Sequence, residues 1–160
     1  MVSEQITNIK DFMNKLLIGT DFDIFHVTDI HITTFNTFHI DGHIMKDFYD
    51  KEEYESLGCP VISKWSDLKP LCYQIIKGHN TPLNFKIIFK MPDSIVIDII
   101  DKNQLDIPYE SITGFFLNIK YDNSSLSYVT GTSLNIFDPG REAEHAFDKF
   151  ISDFINTHFG

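Results

Sequence analysis

Near the start of the chain, apolar residues recur three and four positions apart. Ile9, Phe12, Met13, Leu16 and Leu17 form one stripe, the period of an amphipathic helix. Thr7 or Asn8 can cap it, and Gly19 stands where a left-handed C-terminal residue belongs. From Phe22 the period changes to two. Ile30, Ile32, Thr34, Asn36, Phe38 and Ile40 alternate with His31, Thr33, Phe35, Thr37, His39 and Asp41, which predicts one continuous strand. Asp41-Gly42 is a two-residue hairpin signal, so strand is expected to resume at His43 and run toward Phe48.

Beyond that, Asp50 to Leu57 predicts a short acidic helix ending at Gly58, and Cys59-Pro60 begins a loop. Ser66 can cap a second long helix, Asp67 to Lys77, with Leu68, Leu71, Cys72, Ile75 and Ile76 inward. Pro70 fits if it lies in the first turn, and Gly78 ends the helix. Leu83 to Met91 alternates as a half-exposed strand. Ser94 to Asp101 is open between strand and helix: Val and Ile favour strand, whereas Pro92-Asp93-Ser94 is a helix start, and the reading leans to a short helix.

Gly114 to Tyr121 predicts a strand, Asp122-Asn123-Ser124 a turn, and Leu126 to Phe137 a returning strand kinked near Gly131. Asp138-Pro139 opens the last helix, whose apolar face runs through Ala143, Ala146, Phe147, Phe150, Ile151, Phe154 and Ile155. Strands in hairpins with helices at both ends and between predict an α+β fold. It should be a single domain over 1–160, a mostly antiparallel sheet of about five to seven strands with N-terminal, central and C-terminal helices packed against it. The exposed sheet surface is expected at the edge of the Ile30–Ile40 segment.

Composition narrows the partners. The net charge is −10, and no run of Lys or Arg offsets it, so the chain repels the phosphate backbone. Nucleic acid and anionic membrane surfaces are therefore not expected partners. No apolar run approaches the roughly 20 residues of a membrane span, and the N-terminus carries no secretory signal. Two cysteines, Cys59 and Cys72, are too few for a disulfide framework and read as reduced thiols of a cytoplasmic protein. Fifteen Phe predict a large aromatic core.

Chemistry concentrates in one stretch. His26, Asp29, His31, His39, Asp41 and His43 are the usual materials of a divalent-metal site. Phe25-His-Val-Thr-Asp29-Ile-His31 resembles the opening motif of calcineurin-like metallophosphoesterases, which implies Asp29 and His31 as metal ligands of a hydrolase. That family draws further ligands from Gly-Asp and Gly-Asn-His segments, and neither dipeptide occurs here. On a continuous strand Asp29, His31, His39 and Asp41 share a face, but His31 and His39 are then about 26 Å apart. An Asp41-Gly42 hairpin would put His43 on the face opposite His39. The pattern thus predicts a solvent row, with only the pair Asp29–His31 left as a metal candidate.

Smaller features read as structure. Lys77-Gly78-His79-Asn80-Thr81-Pro82 is helix-stop chemistry, Thr130-Gly131-Thr132-Ser133 a strand kink. No nucleophile, phosphate-loop or dinucleotide motif is present, and no cofactor is expected.

Longer segments carry a second resemblance. They are Phe12-Met-Asn-Lys-Leu-Leu, Ile32-Thr-Thr-Phe-Asn-Thr-Phe-His-Ile-Asp-Gly, Ile75-Ile-Lys-Gly-His-Asn-Thr-Pro-Leu-Asn-Phe-Lys-Ile-Ile-Phe, Phe116-Leu-Asn-Ile-Lys-Tyr and Thr130-Gly-Thr-Ser-Leu. Together they resemble an uncharacterised family of clostridia and related Gram-positive bacteria, a domain of unknown function. The resemblance implies a small bacterial cytosolic protein and no assigned activity. The expected function is a non-enzymatic binding or interaction domain, with a regulatory role, a protein partner or self-association. The alternative is a metal-dependent hydrolase using Asp29 and His31.

Overall fold

The computed structural model describes residues 1–159. The α+β expectation holds. Seven strands form one sheet in the order β1-β7-β6-β5-β2-β3, with β4 pairing β2 beside this path. They are β1 (Ser3–Ile6), β2 (His26–Thr33), β3 (Thr37–Asp41), β4 (Ser63–Lys64), β5 (Asn84–Lys90), β6 (Ile112–Asp122) and β7 (Ser125–Leu134). Every pairing is antiparallel. The helices are α1 (Ile9–Leu17), α2 (Lys51–Ser56), α3 (Trp65–Ile76), α4 (Asp93–Lys102) and α5 (Glu142–Phe159).

One face of the sheet is the core. Val27, Ile30, Ile32, Phe85, Ile87, Phe89, Phe115, Leu117 and Ile119 alternate onto it and are buried. Helices α1, α3, α4 and α5 supply the opposing side chains, while α2 contributes none. The Phe load is spent here. Phe22 packs edge-on to Phe12 at 5.3 Å and stacks on Phe89 at 5.6 Å, Trp65 meets Phe89 edge-on at 5.2 Å, and Phe115 stacks on Phe147 at 4.6 Å. Trp65 also donates its ring N–H to the Leu16 carbonyl at 3.1 Å, so the buried indole donor is satisfied. Asp148 of α5, almost buried, accepts from the Thr130 hydroxyl at 2.6 Å and from the Met1 ammonium at 2.8 Å.

Several expectations need correction. The predicted strand from Ile30 to Asp41 is broken. It turns at Thr34-Phe35-Asn36, where the Thr34 N–H reaches the Asn36 carbonyl at 2.9 Å. Asp41-Gly42 is no hairpin. The Gly42 N–H bonds the Thr28 carbonyl, and its own carbonyl accepts from Ser63. A Cβ there would sit 1.9 Å from the Val27 carbonyl oxygen, so glycine is required by close approach rather than by a turn. His43 then bridges Ile62, and Lys46–Phe48 is a 3₁₀ turn, not strand.

Other corrections are local. Gly19 is not left-handed, and α1 closes through Ile18 and Gly19 N–H groups on Asn14. Lys64, not Ser66, precedes α3, which puts Pro70 past the first turn, and Leu71 faces solvent. Segment 94–101 is helix. Gly131 sits in register opposite Phe116, and the irregularity falls across the ladder, between Ile112 and Gly114. The last helix begins after Arg141 rather than at Pro139, with the Asp138 carboxylate accepting from Ala143 N–H at 3.2 Å. The short strands β1 and β4 carried no pattern of their own.

Candidate metal centre

The turn at Thr34–Asn36 brings the histidines together. Strands β2 and β3 pair Asp29 with Asp41, Ile30 with Ile40, His31 with His39, Ile32 with Phe38 and Thr33 with Thr37. Directly opposite residues share a face about 5 Å apart, so the inferred 26 Å separation is replaced by immediate contact. Asp29, His31 and His39 stand on the face away from the helices, because Ile30 and Ile32 take the core positions.

The three side chains converge. His39 Nε2 lies 2.6 Å from Asp29 Oδ1, and His31 Nε2 lies 3.0 Å from Oδ2. The imidazoles stack with centroids 4.2 Å apart and planes at 10°. One donor atom from each residue falls within 4.8 Å of the others. A tetrahedral zinc ion with ligands at about 2.0–2.1 Å spaces its donors by about 3.4 Å, so torsion changes of about an ångström close the set. A ring nitrogen hydrogen-bonded to a carboxylate is also one that a metal can take once its proton leaves. Two imidazoles and one carboxylate suit zinc or another first-row ion and leave coordination positions open.

The surroundings fit a cation. Asp41 is directly opposite Asp29, and like charges so placed destabilise a sheet. Asp41 is held by the His43 backbone N–H at 2.9 Å and by His43 Nδ1 at 2.6 Å. Those bonds, the backbone one first, hold its carboxyl below the usual carboxylate range. His43 therefore belongs to the neighbouring Asp41 and not to the convergent set. His26 lies at the start of β2, opposite Lys90 and Lys64.

Of the expected pair, Asp29 and His31 are together as predicted. His39 is the third member of the cluster, and on a continuous strand it stood too far away to join it. A signal for it exists: Asp-Ile-His-Ile-Thr before the turn and Thr-Phe-His-Ile-Asp after it mirror each other about Phe35 at every position but one, where Phe38 answers Ile32. A hairpin folded at that mirror pairs like with like.

The rest of the molecule offers less. Burial pushes the Cys72 thiol up to about 12, which keeps it un-ionised and unreactive. Lys69 is tied to Asp23 and the Gly19 carbonyl. A groove of about 660 Å³ lies on the helical side, lined by Ile24, Lys102, Lys149, Phe150, Asp153 and His158. The triad lies outside it, on an open sheet surface. Among the described residues no helix is long and apolar enough to cross a membrane.

An α+β domain whose open sheet face gathers a carboxylate and two imidazoles is thus the class of protein defined by fold and site. The family of unknown function DUF5721 matches residues 15–159, and the chain belongs to it. No curated protein and no solved structure matches.

Proposed function

We propose that this protein is a metal-binding domain in which Asp29, His31 and His39 hold one divalent first-row ion, zinc by ligand chemistry. The observation that carries this reading is the convergence of both Nε2 atoms on the Asp29 carboxylate across a directly opposed His–His pair. It gives the expected binding domain a ligand. The hydrolase alternative shares the same ion, but the triad stands on an open sheet surface, and hydrolytic sites work in water-excluding concavities. The setting therefore favours ion-dependent binding.

Calorimetric titration of zinc into untagged, chelator-treated protein tests this. One equivalent should bind, and Asp29→Ala or His39→Ala should weaken binding at least a hundredfold with the circular dichroism spectrum unchanged. Absent heat, or equal affinity in both variants, contradicts the proposal.

A further inference from the structure

The open face continues past the histidines. His31 is in register with Lys86 on β5, and Lys86 with Lys120 on β6. Directly opposite residues share a face, so His39, His31, Lys86 and Lys120 form one row across adjacent strands at about 5 Å per strand. Both lysines are exposed. A directly opposed Lys–Lys pair is destabilising unless something negative lies between or above it. The protein has acidic side chains in excess, yet those on this face, Asp29 and Asp122, stand diagonal to Lys86, and none is directly opposite either lysine. Lys15, Lys69 and Lys102 form ion pairs, whereas among the described residues no carboxylate lies within 4.0 Å of Lys86 or Lys120. Asp122, two residues along β6, is in register with Asn84 instead.

The row thus sets two unpaired positive charges beside the proposed cation, Lys86 one strand and Lys120 two strands from His31. A lysine stem of four carbons reaches across one strand spacing, so the Lys86 ammonium can touch a group held at the triad, and Lys120, one strand further, can lean over Lys86 to meet the outer side of that group. Beside this row, Ile88 and Asn118 occupy the positions next to Asp29, giving a neutral floor.

Resting on the metal reading above, we infer that the loaded triad and the Lys86–Lys120 pair together bind a phosphate-class oxyanion. One oxygen takes an open position on the ion and the others accept from the lysine ammonium groups. The ligand is a phosphate dianion, free or carried on a small molecule. Two like-charged donors and a divalent ion match a dianion better than a single carboxylate.

Equilibrium dialysis of radiolabelled inorganic phosphate against zinc-loaded, untagged protein tests this, with zinc content measured on the same samples. Wild type should bind phosphate, and Lys86→Ala/Lys120→Ala should bind it at least tenfold more weakly while retaining one zinc. Acetate should compete poorly. The double variant should melt at or above the wild-type temperature, since it loses only a like-charge pair. Phosphate binding unchanged in the double variant, or absent from zinc-loaded wild type, overturns the inference and leaves the metal site standing. Failure to take up zinc overturns both.

Discussion

On β2, Ile30 and Ile32 are buried against the helices, while Asp29 and His31 stand on the opposite face. The same strand serves packing with one parity and chemistry with the other. The core face is continuous and dominated by rings: Phe22, Phe25 and Trp65 all pack on Phe89 with ring centroids within 5.6 Å. The open face places like beside like, Asp with Asp, His with His, Lys with Lys. Like-charge pairs on a surface are poor for stability, so on the proposed reading that face serves ion binding. On the proposed reading stability and function are separable here, because no side chain belongs to both faces.

The largest effect should come from attacking the core face. Phe89→Ala removes a fully buried ring and should cost about 3–5 kcal/mol, read from the urea midpoint. His31→Ala on the neighbouring strand should change stability by less than about 0.5 kcal/mol. Comparable losses in the two variants would dissolve the distinction between the faces.

Next in size is ligand-linked stabilisation. Zinc at a hundred times its dissociation constant should raise wild-type stability by about 2.7 kcal/mol, and the gain should vanish in His39→Ala. A gain that survives in the variant places the ion elsewhere.

A polar contact within the core is smaller. Thr130→Val removes the hydroxyl that Asp148 accepts at 2.6 Å and should cost about 1–2 kcal/mol by denaturant unfolding, with zinc affinity unchanged.

The smallest effect is on pH. Burial first, then Lys64 and Lys90, lower the His26 pKa below its ordinary 6.5, with Asp93 opposing. Between the folded value and about 6.5 the unfolded chain binds the extra proton, so stability rises with pH there and levels off above. His26→Gln should flatten that part of the melting-temperature profile. An unchanged slope would mean that another group carries it.

Alternation made the faces legible, and the turns decided the rest. At Asp122-Asn123-Ser124 the turn residues are the kind that accept positive φ, and Asn123 and Ser124 adopt 50° and 62°. That hairpin, the aromatic core, α1 and the body of α5 were readable. Thr34-Phe35-Asn36 continues the alternation with no glycine or proline, so the real turn was hidden while Asp41-Gly42 advertised a false one. Register followed the wrong turn, and with it went His39. Alternation fixes which face a residue takes, but only the turn fixes what stands beside it. The lysine row was invisible for the same reason, since its members are brought together by pairing between β2, β5 and β6.

The most direct test is an imidazole ¹H–¹⁵N correlation spectrum recorded with and without one equivalent of zinc. The Nε2 resonances of His31 and His39 should move together by the shift of metal ligation. Those of His26, His43, His79, His145 and His158 should stay in place. Movement of any other pair, or of none, would contradict a metal centre at the turn-joined strands.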